Sequence, residues 1–170
     1  MMIIRAAQPN DFATIHSLVR AAFSSAEHSN GTEHYLVAAL RKDVAYIPSL
    51  SLVAEIDGTI VGHIMFTKAT IEKQTILALA PLSVAPTHQQ QGIGKALIHE
   101  GHRIAKELGN DYSVVLGSER YYPKLGYVPA DTFGIKAPFD VPRENFMAYR
   151  LNTEASILKG TLVYAKAFGL

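Results

Sequence analysis

Apolar residues recur along the 170-residue chain in two periods, and their alternation outlines the fold. Ile3-Ile4-Arg5-Ala6 reads as a short first strand. Pro9-Asn10-Asp11 then opens a helix, with proline near the first turn and Asp11 at the positive end. Phe12, Ile15, Val19, Ala22 and Phe23 follow at helical spacing. Residues 24–31 are polar and read as a loop. A second helix is expected over 32–42, with Thr32 as its N-cap and Tyr35, Leu36, Ala39 and Leu40 on one side. Runs 52–56 and 59–66 flank Asp57-Gly58, the signal of a type I′ hairpin. Gly62 within the second run marks a bulge or close packing. Run 74–84 is apolar on both faces and reads as a central strand, and Pro81 removes one ladder donor from it. Residues 92–108 form the strongest helix. Ile93, Ala96, Leu97, Ile104, Ala105 and Leu108 make its apolar face, and Lys95, His99, His102, Arg103 and Lys106 its wet one. Run 112–116 is a fifth strand, 118–124 a helical turn, and 146–151 and 161–165 late strands. The alternation predicts one domain over 1–170, a mixed α/β sheet with helices on both sides.

Composition narrows the function. Lys plus Arg number 16 and Asp plus Glu 15, a formal charge of +1, so the diffuse basic field of a nucleic-acid binder is missing. No nucleic-acid partner is expected. The chain has no cysteine, which excludes disulfides, thiolate metal sites and cysteine nucleophiles. The longest nearly apolar run, 76–86, is far short of the ~20 residues a membrane helix needs. The N-terminus lacks an apolar signal segment, so a cytoplasmic protein without a membrane partner is expected. His99-Glu100-Gly101-His102 falls one residue short of the zinc-protease spacing, and no metal is expected. Ser118 has no His and Asp in triad order, which argues against a hydrolase.

The informative stretch is Leu82-Ser83-Val84-Ala85-Pro86-Thr87-His88-Gln89-Gln90-Gln91-Gly92-Ile93-Gly94-Lys95. A strand runs into a loop, and the loop opens a long amphipathic helix. A helix start has unpartnered N–H groups and partial positive charge, and glycines let an anion approach them closely. The P-loop pattern fails at Gln89 and Ala96, and the dinucleotide fingerprint fails at Leu97. The glycines alone are equally compatible with an ordinary strand–loop–helix connection.

The surrounding residues decide between these readings. Leu82-Ser83-Val84-x-Pro86 followed by Gln89-x-x-Gly92-x-Gly94 resembles the acetyl-CoA-binding segment of the GNAT N-acetyltransferase superfamily. Ile4-Arg5-x-Ala7 with Asp11 and Ile15 is similar to that family's first strand and helix. Val53-Ala54-Glu55-x-Asp57-Gly58-x-Ile60-Val61-Gly62 is similar to its second and third strands. Tyr121-Tyr122-Pro123-Lys124-Leu125-Gly126-Tyr127 resembles its tyrosine element. The match covers 2–151 and leaves 152–170 as a C-terminal strand extension that completes or flanks the sheet.

The resemblance implies a GNAT fold: a mixed, mostly antiparallel sheet splayed between the fourth and fifth strands, with helices on both faces. It implies an acyltransferase that moves an acetyl group from acetyl-CoA to a primary amine of a small molecule or peptide by direct attack. A non-catalytic acyl-CoA-binding or regulatory domain is the alternative, and a homodimer is left open. By carry-over, the pantetheine arm bonds to backbone at Leu82, Ser83 and Val84. The diphosphate sits on N–H groups of Gln90, Gln91, Gly92, Ile93, Gly94 and Lys95, Gln89 braces the loop, and Tyr122 protonates the departing sulfur. Many members place a glutamate base on the fourth strand, but 76–84 contains no carboxylate. Glu33, Glu72, His63 and Glu119 remain candidates. The resemblance puts the acceptor against the first two helices, the 24–33 loop and the 129–143 loop.

Overall fold

The computed structural model describes residues 1–24 and 29–170. A seven-stranded sheet forms its centre. β1 (Met2–Ala6), β2 (Tyr46–Ile56), β3 (Thr59–Ile71) and β4 (Gln74–Val84) follow one another as antiparallel neighbours. β5 (Tyr112–Leu116) lies parallel to β4, and β8 (Phe146–Arg150) separates β5 from the edge strand β6 (Val128–Pro129). A second sheet is small: β7 (Ile135–Lys136) pairs with β9 (Gly160–Thr161).

Among the described residues, three α-helices cover the large sheet. α1 (Phe12–Phe23) and α2 (Glu33–Arg41) lie on one face, where Ile15, Val19, Val37 and Leu40 pack on Val53 and Met65. α3 (Ile93–Glu107) lies on the other, where Ile93, Leu97 and Ile98 pack with Leu52, Ile64 and Phe66. Residues on opposite faces alternate along each strand, so the buried stretches of β2 and β3 divide their side chains between the two layers.

Local chemistry explains the element borders. Asp11 accepts from Gln8 N and from Arg5, and the Arg5 hydrogen bond holds its carboxyl below the usual range. This pins the entry to α1 against β1. Asp57 and Gly58 both take positive φ, as the type I′ turn requires. The β2–β3 register shifts between Ala54 and Glu55, leaving Val61 as the bulge beside Gly62. A Cβ at Gly62 would stand 2.9 Å from Ile93 and 3.0 Å from Leu97, so glycine there sets how closely α3 approaches the sheet.

Five expectations change, two of them at Tyr35 and Leu108, which helical spacing sets on apolar faces and which are exposed. Thr32 occupies the N-cap of α2, but its side chain does not cap the helix. Its hydroxyl bonds to Asn30, as Ser and Thr side chains do in turns. His102 leaves the wet face of α3: it is 9% exposed, stacked on Tyr149 and bonded to Tyr127. Polarity alone placed it outside, and a phenol in the core draws it in. The late strand expected over 161–165 shortens to β9 with a single bridge, Thr70 to Val163. The tail therefore flanks β3 and lays residues Lys166–Phe168 against α2 without extending the large sheet.

Candidate active site

β4 and β5 pair at only two registers, Leu77 with Ser113 and Ala78 with Val114, and part beyond them. The Ala80–Pro81 peptide is cis, and the β3–β4 register slips at the same place. Past that slip β4 stays paired with β3 through Leu82, Ser83 and Val84. Its other edge faces the gap that opens toward β5. Unpaired strand backbone of this kind is a template for an extended amide-bearing chain.

The gap ends at the glycine loop. Pro86–His88 forms one 3-10 turn, Gln90 takes φ 64°, and Gly92, the N-cap of α3, takes φ 84°. The positive φ turns the chain so that the first N–H groups of α3 point outward without a side-chain cap. Gln89 Nε2 donates to Val84 O at 3.2 Å, tying the loop back to the end of β4. Gln90, Gln91 and Gly92 are exposed, while Ile93 and Gly94 are buried. A Cβ on Gly94 would stand 2.6 Å from the Tyr121 hydroxyl. The phenol of Tyr121 thus spans the gap from the β5 side to the first turn of α3.

Tyr122 begins the short 3-10 helix Tyr122–Leu125 on the far side of the gap. Its ring packs against Gly117, where a Cβ would come within 2.4 Å. It meets Tyr121 edge-on at 5.0 Å and Tyr127 at 5.6 Å. Burial lifts the Tyr122 phenol above its ordinary value, so its proton is retained at neutral pH. Tyr127 is 1% exposed, and its hydroxyl bonds to His102 and Ser113. That network fixes the ring on which Tyr122 rests, and His102 stays neutral in it, its pKa lowered to about 4 mainly by burial.

The four candidate bases are dispersed. Glu72 sits in the β3–β4 turn, at the opposite end of β4 from the glycine loop. Eleven strand residues put about 35 Å between the ends. Glu119 accepts from Asn145 Nδ2, and Glu33 accepts from Ser29 Oγ at the start of α2. His63 is fully buried on β3, with its pKa lowered to about 3 by burial and then by Arg41. An imidazole held that low is a weak base. Residues 25–28 of the loop expected beside the acceptor lie outside the described residues. The described residues hold no group of three metal-ligating side chains and no helix long and apolar enough to cross a membrane.

Parting strands, a glycine-opened helix and a half-buried tyrosine beside the gap form one arrangement, and the sequence carries a family match over the same segment. Residues 12–127 match the acetyltransferase (GNAT) family model. This chain belongs to the GNAT acetyltransferase family. It is 34% identical over 159 residues to the uncharacterized N-acetyltransferase YjhQ of Escherichia coli K12, covering 89% of this chain and 85% of that protein. Its fold is similar to that of the GNAT family N-acetyltransferase YhbS from Escherichia coli, solved in complex with CoA. The TM-score is 0.89 at 27% identity, covering 99% of this chain and 92% of the other. It is also similar to a GNAT family acetyltransferase from Brucella melitensis in complex with acetyl-CoA, with TM-score 0.83, 33% identity, and coverage of 99% and 98%. The splay and the helices on both faces are thus features of the GNAT fold.

Sequence reading named His63 as a candidate base and Ser83 for its backbone, but missed Arg41, Ser51 and the buried polar set on the α1/α2 face. Arg41, Ser51, His63 and Ser83 come from four segments, and no spacing joins them. The available signal was polarity at single positions inside apolar strands and at the end of one helix.

Proposed function

We propose that this chain transfers an acetyl group from acetyl-CoA to a primary amine of a small molecule or peptide by direct attack. The parting of β4 from β5 at Ala78, with the Gly92–Gly94 turn at its open end, carries the reading. The pantetheine arm lies along the free edge at Leu82, Ser83 and Val84. The diphosphate rests on the N–H groups of Gln90 to Lys95, where a helix start favours an anion. Gln89, bonded to Val84 O, holds that loop in register.

In the reaction, the neutral amine adds its lone pair to the thioester carbonyl. The tetrahedral intermediate collapses, the C–S bond breaks and the amide remains. Tyr122 gives its proton to the departing sulfur, and the amine's surplus proton passes to water. A phenol is less acidic than a thiol, so it is still protonated when the sulfur leaves. β4 has no carboxylate in Ile76–Val84, which favours a second reading, a domain that binds acyl-CoA without turnover. Calorimetry with CoA and thiol release across a panel of amines separate the two. Binding and amine-dependent thiol release support the enzyme; binding without release under any amine supports the second reading.

A further inference from the structure

The α1/α2 face of the sheet carries polar groups that acetyl-CoA binding leaves unused. Arg41 ends α2, and its guanidinium lies 3.9 Å over the ring of Phe12, which begins α1. The residue is partly covered, and its Nε and Nη2 are buried without a hydrogen-bond partner. Those two nitrogens form one edge of the guanidinium. Their N–H bonds run side by side in the plane, a fork matched to the two oxygens of a carboxylate.

Nothing in the described protein fills that fork. Arg5, Arg103 and Arg143 each hold a carboxylate, whereas Arg41 forms no ion pair among the described residues. Asp43, its nearest acidic neighbour in sequence, accepts from Ala45 N and Ala167 N instead. Burying a guanidinium without a counter-ion is expensive, and here burial penalises its charge.

His63, close enough to Arg41 to feel its charge, and Ser83, its neighbour across the strands, also carry unpartnered atoms. His63 lies across from Val53 on β3 and so faces α1 and α2. Its Nε2 shares a hydrogen bond with Ser51 Oγ at 3.3 Å, and its Nδ1 has no partner. Ser83 pairs with His63 across β3 and β4, and its Oγ has no partner either. His63 is 0% and Ser83 1% exposed, so these are core positions that ordinarily find partners. The set is neutral apart from Arg41, which suits a single negative charge better than a phosphate of nearly two. It lies on the face opposite α3, away from the helix start that would hold the CoA phosphates.

We propose that the acceptor is an amine bearing a carboxylate, and that Arg41 takes the carboxylate side-on through Nε and Nη2 with His63 and Ser83 beside it. This rests on the acetyl-transfer reading above. It narrows the acceptor class to amino acids and related amino carboxylates.

The test uses the full chain and a series of amino carboxylates of increasing length, from glycine to 6-aminohexanoate and lysine, each paired with its carboxamide. In the wild type, at least one carboxylate should exceed its carboxamide in kcat/KM by tenfold or more. Arg41→Gln should raise KM for that carboxylate by about 10- to 100-fold, the range for a charged hydrogen-bonded pair. It should leave the carboxamide KM and the acetyl-CoA affinity unchanged. Arg41→Lys, which keeps the charge and loses the fork, should fall between.

Equal turnover of carboxylates and carboxamides by the wild type overturns the proposal, even if neither variant folds. An equal loss for both substrates in Arg41→Gln also overturns it, because that is a structural effect. Should the wild type bind acetyl-CoA but release no thiol with any amine, the acetyl-transfer reading fails by itself. The fork is then judged by calorimetry: an amino carboxylate that binds the wild type and not Arg41→Gln upholds it, and no binding overturns it. Stabilisation by acetate without preference for any carboxylated amine assigns the fork to a free anion and overturns the acceptor role.

Discussion

The two faces of the central sheet are built on different principles. On the α3 face, apolar side chains fill the layer, and the polar groups within it, His102, Tyr127 and Ser113, satisfy one another. On the α1/α2 face, Arg41, His63 and Ser83 keep buried polar atoms without partners. The first face is finished by folding alone. The second holds groups whose desolvation is not offset within the described chain. On the proposal above a ligand completes those groups, and the contrast is then one between a structural face and a receiving one.

The largest expected effect lies at the α3 start. Gly94→Asp puts a carboxylate among the N–H groups proposed to hold the diphosphate, and its Cβ crowds the end of the Tyr121 side chain at 2.6 Å while meeting Leu82 at an ordinary 3.5 Å. CoA affinity by calorimetry should fall at least about 100-fold, because an anion is replaced by repulsion at a helix start. Unchanged circular dichroism should accompany the loss. Retained affinity would remove the CoA site from this end of the gap.

Next is Tyr122. Tyr122→Phe keeps the packing on Gly117 and Tyr127 and deletes the acid. Its kcat should fall about 100-fold, the low end for acid catalysis, since a thiolate is already a fair leaving group. The acetyl-CoA affinity should barely move, and Tyr121→Phe should be mild. Near-wild-type kcat in both variants would show that the tyrosines only pack.

The two faces should also share an acid sensitivity. His102 on one face and His63 on the other have folded pKa values lowered to about 4 and about 3, chiefly by burial. The unfolded chain binds those protons near pH 6.5, so stability is full above that value. It should fall as pH drops toward the folded values, by about 1.4 kcal/mol per pH unit for each histidine. Urea midpoints at pH 7 and pH 5 measure this. His102→Gln should remove its own share of the slope, and an unaltered slope in that variant would assign the acid sensitivity elsewhere.

The smallest effect is expected at Gln89. Gln89→Ala deletes the bond to Val84 O and frees the loop without touching its N–H groups. CoA affinity should weaken by about tenfold or less, in line with one exposed hydrogen bond. A loss as large as that of Gly94→Asp would mean that Gln89 contacts the cofactor itself.

The sequence by itself determined the half of this protein proposed to hold the cofactor. Strand 74–84, the Gln89-to-Lys95 loop and the long helix are contiguous, and their chemistry is that of local backbone: a proline in a strand, glycines at a turn, a helix start. The hairpin at Asp57-Gly58 was legible for the same reason. Tertiary structure alone decided the rest. His102 has the spacing of a surface histidine, yet Tyr127, twenty-five residues away, draws it into the core. Arg41, Ser51, His63 and Ser83 share a face only because α2 packs over the sheet in which β2, β3 and β4 are neighbours, and no period within one segment joins them. Local patterns report where one backbone turns and which face it buries. A site assembled from single side chains on separate elements leaves no period, and it emerges only when packing removes the water that each of those groups would otherwise have bonded.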